Sequence, residues 1–135
     1  MAIFLSNDVQ VTLNAVDLTD HVTSASISRV FDELEVTAMG DTSHVFVKGL
    51  EASTITLDFL NDTATSNVLQ TLQAAWGTTV ALTLKQTSGA TSATNPLYST
   101  TVLLNNTTDI NGAVGDISTQ SITFTCNSPI VITTS

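Results

Sequence analysis

The sequence predicts a mainly β domain interrupted by one α-helix, and three observations carry that prediction. Ser and Thr make up 39 of 135 residues. They are interleaved with Val, Ile, Leu and Phe, a texture suited to pleated, half-buried strands. Apolar and polar residues alternate with period two in several separate runs, and one segment shifts to helical spacing. In chain order, Val9, Val11 and Leu13 alternate with Gln10, Thr12 and Asn14, and Leu34, Val36 and Ala38 alternate with Glu33, Glu35 and Thr37. Ile55, Leu57 and Phe59 then alternate with Thr54, Thr56 and Asp58, and Val80, Leu82 and Leu84 with Ala81, Thr83 and Lys85. Ile122, Phe124 and Cys126 close the series around Thr123 and Thr125. Such spacing puts each apolar set on one face of a strand and each polar set on the other.

The exception is "NDTATSNVLQTLQAAWGTT", where Val68, Leu69, Leu72, Ala75 and Trp76 form a single helical stripe. A helix over about 66–76 follows, with Thr65 or Ser66 as its cap, Asp62 near the positive end of its dipole and Gly77 just past its last turn. Trp76 is read as core packing. Loops are expected at 39–51, 85–96 and 105–116, the middle one as an exposed, mobile excursion poor in charge beyond Lys85.

A chain of 135 residues fits one domain that buries roughly two-thirds of its unfolded surface. Its formal net charge is −9, with Arg29, Lys48 and Lys85 the sole Lys or Arg residues. This excludes a generic nucleic-acid binder, whose affinity depends on releasing counterions with basic side chains. The acid is concentrated: residues 17–62 hold nine carboxylates against Arg29 and Lys48, a local net of −7. Cys126 has no second cysteine to pair with, so a reducing cytoplasm is the expected site of synthesis. "MAIFLSND" lacks the basic lead of a secretory signal, and no apolar run approaches the ~20 residues of a membrane helix.

The inventory for catalysis is thin. His21 and His44 fit no compact metal spacing, and Cys126 reads as a small hydrophobe on the apolar face of a strand. Asp17, Asp20 and His21 in "VDLTDHV", and Asp109, Asn111 and Asp116 in "DINGAVGD", have metal-ligating chemistry. The second stretch lacks the downstream bidentate Glu of a calcium loop, and turn-forming Asx residues account for both. Asp32 and Glu33 point to opposite faces of a strand, while Glu33 and Glu35 share an outer face, so no glycosidase pair is implied. The expectation is a protein that is not an enzyme, without cofactor or metal.

If residues 33–38 pair with 53–60 as an antiparallel hairpin, Leu34, Val36 and Ala38 face the core together with Ile55, Leu57 and Phe59. Glu33, Glu35 and Asp58 then share the outer wall. Like charges on neighbouring strands repel and cost a monomer stability. An assembly that lines a conduit for DNA has a use for such a wall, because it keeps phosphates from sticking.

The succession of "VDLTDHVTSASI", "FDELEVTAMGDTSHVFVKGL", "TITLDFLND", "TSNVLQTLQAAWG", "VALTLKQ", "NPLYSTTVLL" and "INGAVGDISTQSITFT" resembles the tail tube (major tail) proteins of long-tailed bacteriophages, particularly those of phages of actinobacteria. The likeness spans nearly the whole chain. It implies a β-sandwich or flattened barrel of two packed sheets with one flanking helix, six copies per ring, and rings stacked into the tail of the virion. Hairpins of about 24–38 with 51–60 and about 97–105 with 117–126 would line the channel, with Glu33, Glu35 and Asp58 facing the lumen. The loop 39–50, with Gly40, Asp41, His44, Val45, Phe46, Val47 and Lys48, would join rings, aided by residues 1–8 and 128–135. The implied partners are further copies of the chain and other tail proteins such as the tape measure and tail terminator. DNA would pass without specific binding, and no membrane is involved. Two alternatives share the texture: a capsid decoration or minor capsid protein of the same phage type, and a monomeric immunoglobulin-like binding module using loops 39–50 and 86–96.

Overall fold

The structure is a computed structural model that describes residues 9–64 and 68–134. Strands β1 (Gln10–Leu13) and β2 (Val16–Asp17) form a hairpin. Its two-residue turn, Asn14–Ala15, has φ of 50° and 66°, the positive values that match the twist of the flanking strands. A 3-10 turn over Thr19–His21 leads into β3 (Val22–Ser28), which runs on through a two-residue break into β4 (Phe31–Glu35). The chain returns as β5 (Phe46–Glu51) and β6 (Thr54–Leu60), passes through helix α1 (Val68–Ala75), and finishes with β7 (Thr79–Lys85), β8 (Leu97–Leu103), β9 (Thr119–Cys126) and β10 (Val131–Thr133).

Hydrogen bonding runs through the order β2-β1-β7-β8-β9-β6-β3, with β10 on the same edge of β8 as β9. The β8–β9 join is narrow, resting on Val102 opposite Cys126 and Leu103 opposite Thr125. The ladder therefore folds into two packed layers, β3-β6-β9 and β2-β1-β7-β8. Between them lies one core, in which Ile55, Leu57, Phe59, Ile122 and Phe124 meet Val11, Leu13, Leu82, Leu84 and Val102. The expected period-two strands at β1, β6, β7 and β9 all point these apolar positions inward. Among the described residues the architecture is mainly β with one α-helix, as expected, and it is not a closed barrel, because β2 and β3 end the order unpaired with each other.

Helix α1 seals one end of this core with Val68, Leu72 and Ala75. It ends at Ala75, one residue short of the expected stop, and its expected start and the caps Thr65 and Ser66 fall outside the described residues. Trp76 is 55% exposed, which corrects its assignment to the core. Gly77, at φ 73°, turns the chain into β7, so the helical periodicity that would aim Trp76 inward stops before reaching it. The 85–96 excursion is organised around a buried side chain: the Asn95 amide donates to the carbonyls of Thr87, Gly89 and Ala90.

Strand pairing departs from expectation in two places. The pairing of β6 with β3 falls within the implied hairpin of 24–38 with 51–60, but residues 33–35 pair with β5 and not with 53–60. Leu34 and Val36 are consequently about half exposed and do not face the core. The alternation in β3 is masked by a bulge between Val22 and Ser24, and it is β3 that places Ala25 and Ile27 against the body. In addition, β8 pairs along its whole length with β7 and meets β9 only at its end, so 97–105 and 117–126 do not form a simple hairpin.

Candidate functional site

Beyond the break at Arg29–Val30, β4 and β5 form a separate two-stranded sheet. The ladder is nearly continuous with the body, since Ala52 N–H donates to the Val30 carbonyl and Phe31 sits opposite Glu51. The Glu51 carboxylate fixes the foot of this arm, accepting from Ile130 N–H at 2.9 Å and Ser53 Oγ at 2.8 Å. The Ile130 amide, then Ser53, and the charges of Arg29 and Lys48 hold its pKa below the usual value. At Gly49 the strands approach so closely that an added Cβ would lie 2.8 Å from the Asp32 carbonyl oxygen.

The register sorts the arm into two faces. Leu34 lies opposite Val47, and Val36 N–H donates to the Val45 carbonyl, making an aliphatic face. Glu33 opposes Lys48 and Glu35 opposes Phe46 on the other face. Lys48 Nζ also stands 5.6 Å from the centre of the Phe31 ring, a cation–π distance. Near the tip, Glu35 accepts from Thr37 Oγ1 and pairs with His44 Nδ1. His44 first, then Thr37, lowers the pKa of this carboxylate. Asp41 Oδ2 accepts Ala38 N–H, while Gly40 supplies the positive φ of the turn. The expected joining loop 39–50 is thus part turn and part strand, because Phe46, Val47 and Lys48 belong to β5. Both faces are open: Leu34 and Phe46 are each 52% exposed, and Leu50 is 81% exposed.

Asp58 lies elsewhere. On the outer face of β3-β6-β9 it sits in a row with Ser24 and Ser121, beside the rows Ser26–Thr56–Thr123 and Ser28–Thr54–Thr125. The Thr56 and Thr123 hydroxyls are 3.3 Å apart. This face is a lattice of short hydroxyls with one carboxylate and no basic group. The structure does not bring Glu33 and Glu35 together with Asp58 on one wall, since the arm begins where the body's pairing with β6 ends. The hydroxyl lattice was visible in the alternating Ser and Thr of these strands, but strand order was needed to assemble it.

The loop expected at 105–116 lies before β9, and its apolar character is the part that the sequence reading does not include. Ile110 and Val114 are almost fully exposed in it and Ile117 is largely so. Its anchor is the buried Gln120, which donates to Asn61 Oδ1 and accepts Thr108 N–H. The metal-like stretches have local roles: Asp17 accepts from Thr19 N–H and Oγ1, and Asn111 donates to the Thr119 carbonyl. His21 Nε2 is 2.8 Å from Asp62 Oδ2. Among the described residues no three His, Cys, Asp or Glu side chains gather as a metal site, and no helix is long and apolar enough to cross a membrane. Cys126 is half-buried, and burial raises its thiol pKa. No protein-family model matches the chain, and no curated protein matches it either.

Proposed function

We propose that the chain is a structural subunit that polymerises, and that its assembly is the stacked-ring tail tube of a long-tailed bacteriophage. The arm is the observation that carries this reading. A two-stranded sheet is marginal in water by itself, yet this one exposes Leu34, Val36, Val45, Val47, Phe46 and Leu50 beyond the body. Apolar surface of this extent belongs in a contact. Ile110, Val114 and Ile117 add a second such surface. The hydroxyl face with Asp58 suits the wall of a conduit, because it offers phosphates no cation to bind. Glu33 and Glu35 are better suited to subunit contacts than to the lumen, since they share a face with Phe46 and Lys48.

Electron microscopy of the purified chain across a concentration series tests the proposal. Rings or tubes with six-fold views are expected. Trimers or lone subunits bound to capsid shells would support a decoration protein instead, and a monomer at every concentration would overturn polymerisation.

A further inference from the structure

A cleft of about 550 Å³ opens at the foot of the arm, between β3 and the ends of β7 and β8. Its lining includes Ile27, Leu84 and Tyr98 together with Arg29 and Lys85. Two of the three Lys and Arg residues in the chain thus meet at one apolar opening. Lys85 Nζ donates to the Gly89 carbonyl at 2.8 Å, which leaves two of its three N–H donors for other acceptors. Arg29 lies near enough to Glu51 to help lower that pKa. The third basic residue, Lys48, is already placed over Phe31 and opposite Glu33 in the arm.

We propose that this cleft seats the arm of a second copy of the chain, with Phe46 entering the apolar wall and Glu33 and Glu35 meeting Arg29 and Lys85. Charge complementarity selects the occupant. Copies with net charge −9 repel one another unless their few cations lie in the contact. The arm is the matching element, with five carboxylates against Lys48 over residues 31–51, a net of −4. Its acidic face presents Phe46 beside the two glutamates, the apolar-plus-anionic pattern that the cleft complements. Every copy has one arm to give and one cleft to receive. Arms passed on from copy to copy make a head-to-tail contact that generates a ring or a filament, whereas two copies exchanging arms would stop at a dimer. The inference rests on the polymerisation proposed above and supplies its joint.

Charge reversal followed by rescue tests it on the full chain. Arg29→Glu with Lys85→Glu, and separately Glu33→Lys with Glu35→Lys, should each raise the concentration needed for assembly at least tenfold in sedimentation velocity. Circular dichroism and thermal melts would confirm that each variant folds. Combining all four changes should restore most of the assembly, because the pairs then meet with signs exchanged. Assembly indifferent to either reversal, or a quadruple variant no better than the doubles, overturns the joint while leaving polymerisation intact. An unaltered chain that stays monomeric at its highest soluble concentration overturns both.

Discussion

Gly49→Ala isolates the arm from the body. The new Cβ would lie 2.8 Å from the Asp32 carbonyl oxygen, 2.9 Å from Asp32 Cβ and 3.3 Å from Leu34 Cγ. The first two neighbours are a backbone oxygen and a Cβ whose position the backbone fixes, so no rotamer change relieves the contact and β4 must move away from β5. Overpacking by a methyl group costs about 1–3 kcal/mol, comparable with what holds a marginal two-stranded sheet together. If assembly requires the formed arm, that cost appears as a roughly 5- to 150-fold rise in the assembly midpoint. The body core does not include Gly49, so its melting temperature should hardly change. Sedimentation velocity gives the midpoint, and amide exchange over 31–51 reports whether the arm has loosened. Assembly at the original concentration despite faster exchange in the arm would refute the claim that the arm is the joint.

Other perturbations probe the body and its tether. Thr71 is buried with no partner for its hydroxyl among the described residues; Thr71→Val should stabilise the fold by about 1 kcal/mol, measured by urea denaturation, since an unsatisfied buried polar group costs about that or more. Phe59→Ala, at a fully buried position, should cost about 3–5 kcal/mol in the same assay. The depressed pKa of Glu51 means its contribution is complete above the ordinary value of 4.5 and is lost as pH falls through the lower folded value. Exchange of the Ile130 amide should therefore accelerate in that acid range, and Glu51→Ala should show fast exchange at neutral pH as well. Cys126, with its thiol pKa raised by burial, should react with a thiol reagent at pH 8 far more slowly in the folded chain than in urea.

Alternation alone made β1, β6, β7 and β9 legible, because each is covered on one face and the period of two records that directly. Partner choice left no such trace. Leu34 and Val36 alternate with Glu33 and Glu35 as a body strand would, yet they lie on an arm, and a pattern of inward and outward residues does not say what the inward face meets. β3 was obscured by its bulge, which stretches the interval between Val22 and Ala25 to three residues and breaks the period. Trp76 was misread because hydrophobic spacing cannot register that the helix ends one residue earlier. Asp58 falls on the same wall as the glutamates only if 33–38 pairs with 53–60, whereas the break between β3 and β4 leaves β3 as the partner of β6 and sends β4 to pair with β5.

That separation explains why acid is crowded into a stretch that is also apolar. Among the described residues the arm has two strands and hence two unpaired edges, and an open, apolar edge invites indiscriminate strand addition. Asp32, Glu33, Glu35 and Asp41 give the copies a shared negative charge along that element, which penalises arm-on-arm pairing. The same charge favours any site that presents cations, and the cleft at Arg29 and Lys85 is such a site. One set of carboxylates can thus oppose the wrong contact and steer the right one. Because repulsion between exposed charges is screened over about 10 Å at 0.1 M salt, high salt should weaken the specific assembly and release disordered aggregation together. Light scattering set against electron microscopy across a salt series reads both effects. Ordered tubes that persist unchanged at 1 M salt would show that apolar contact alone directs the arm.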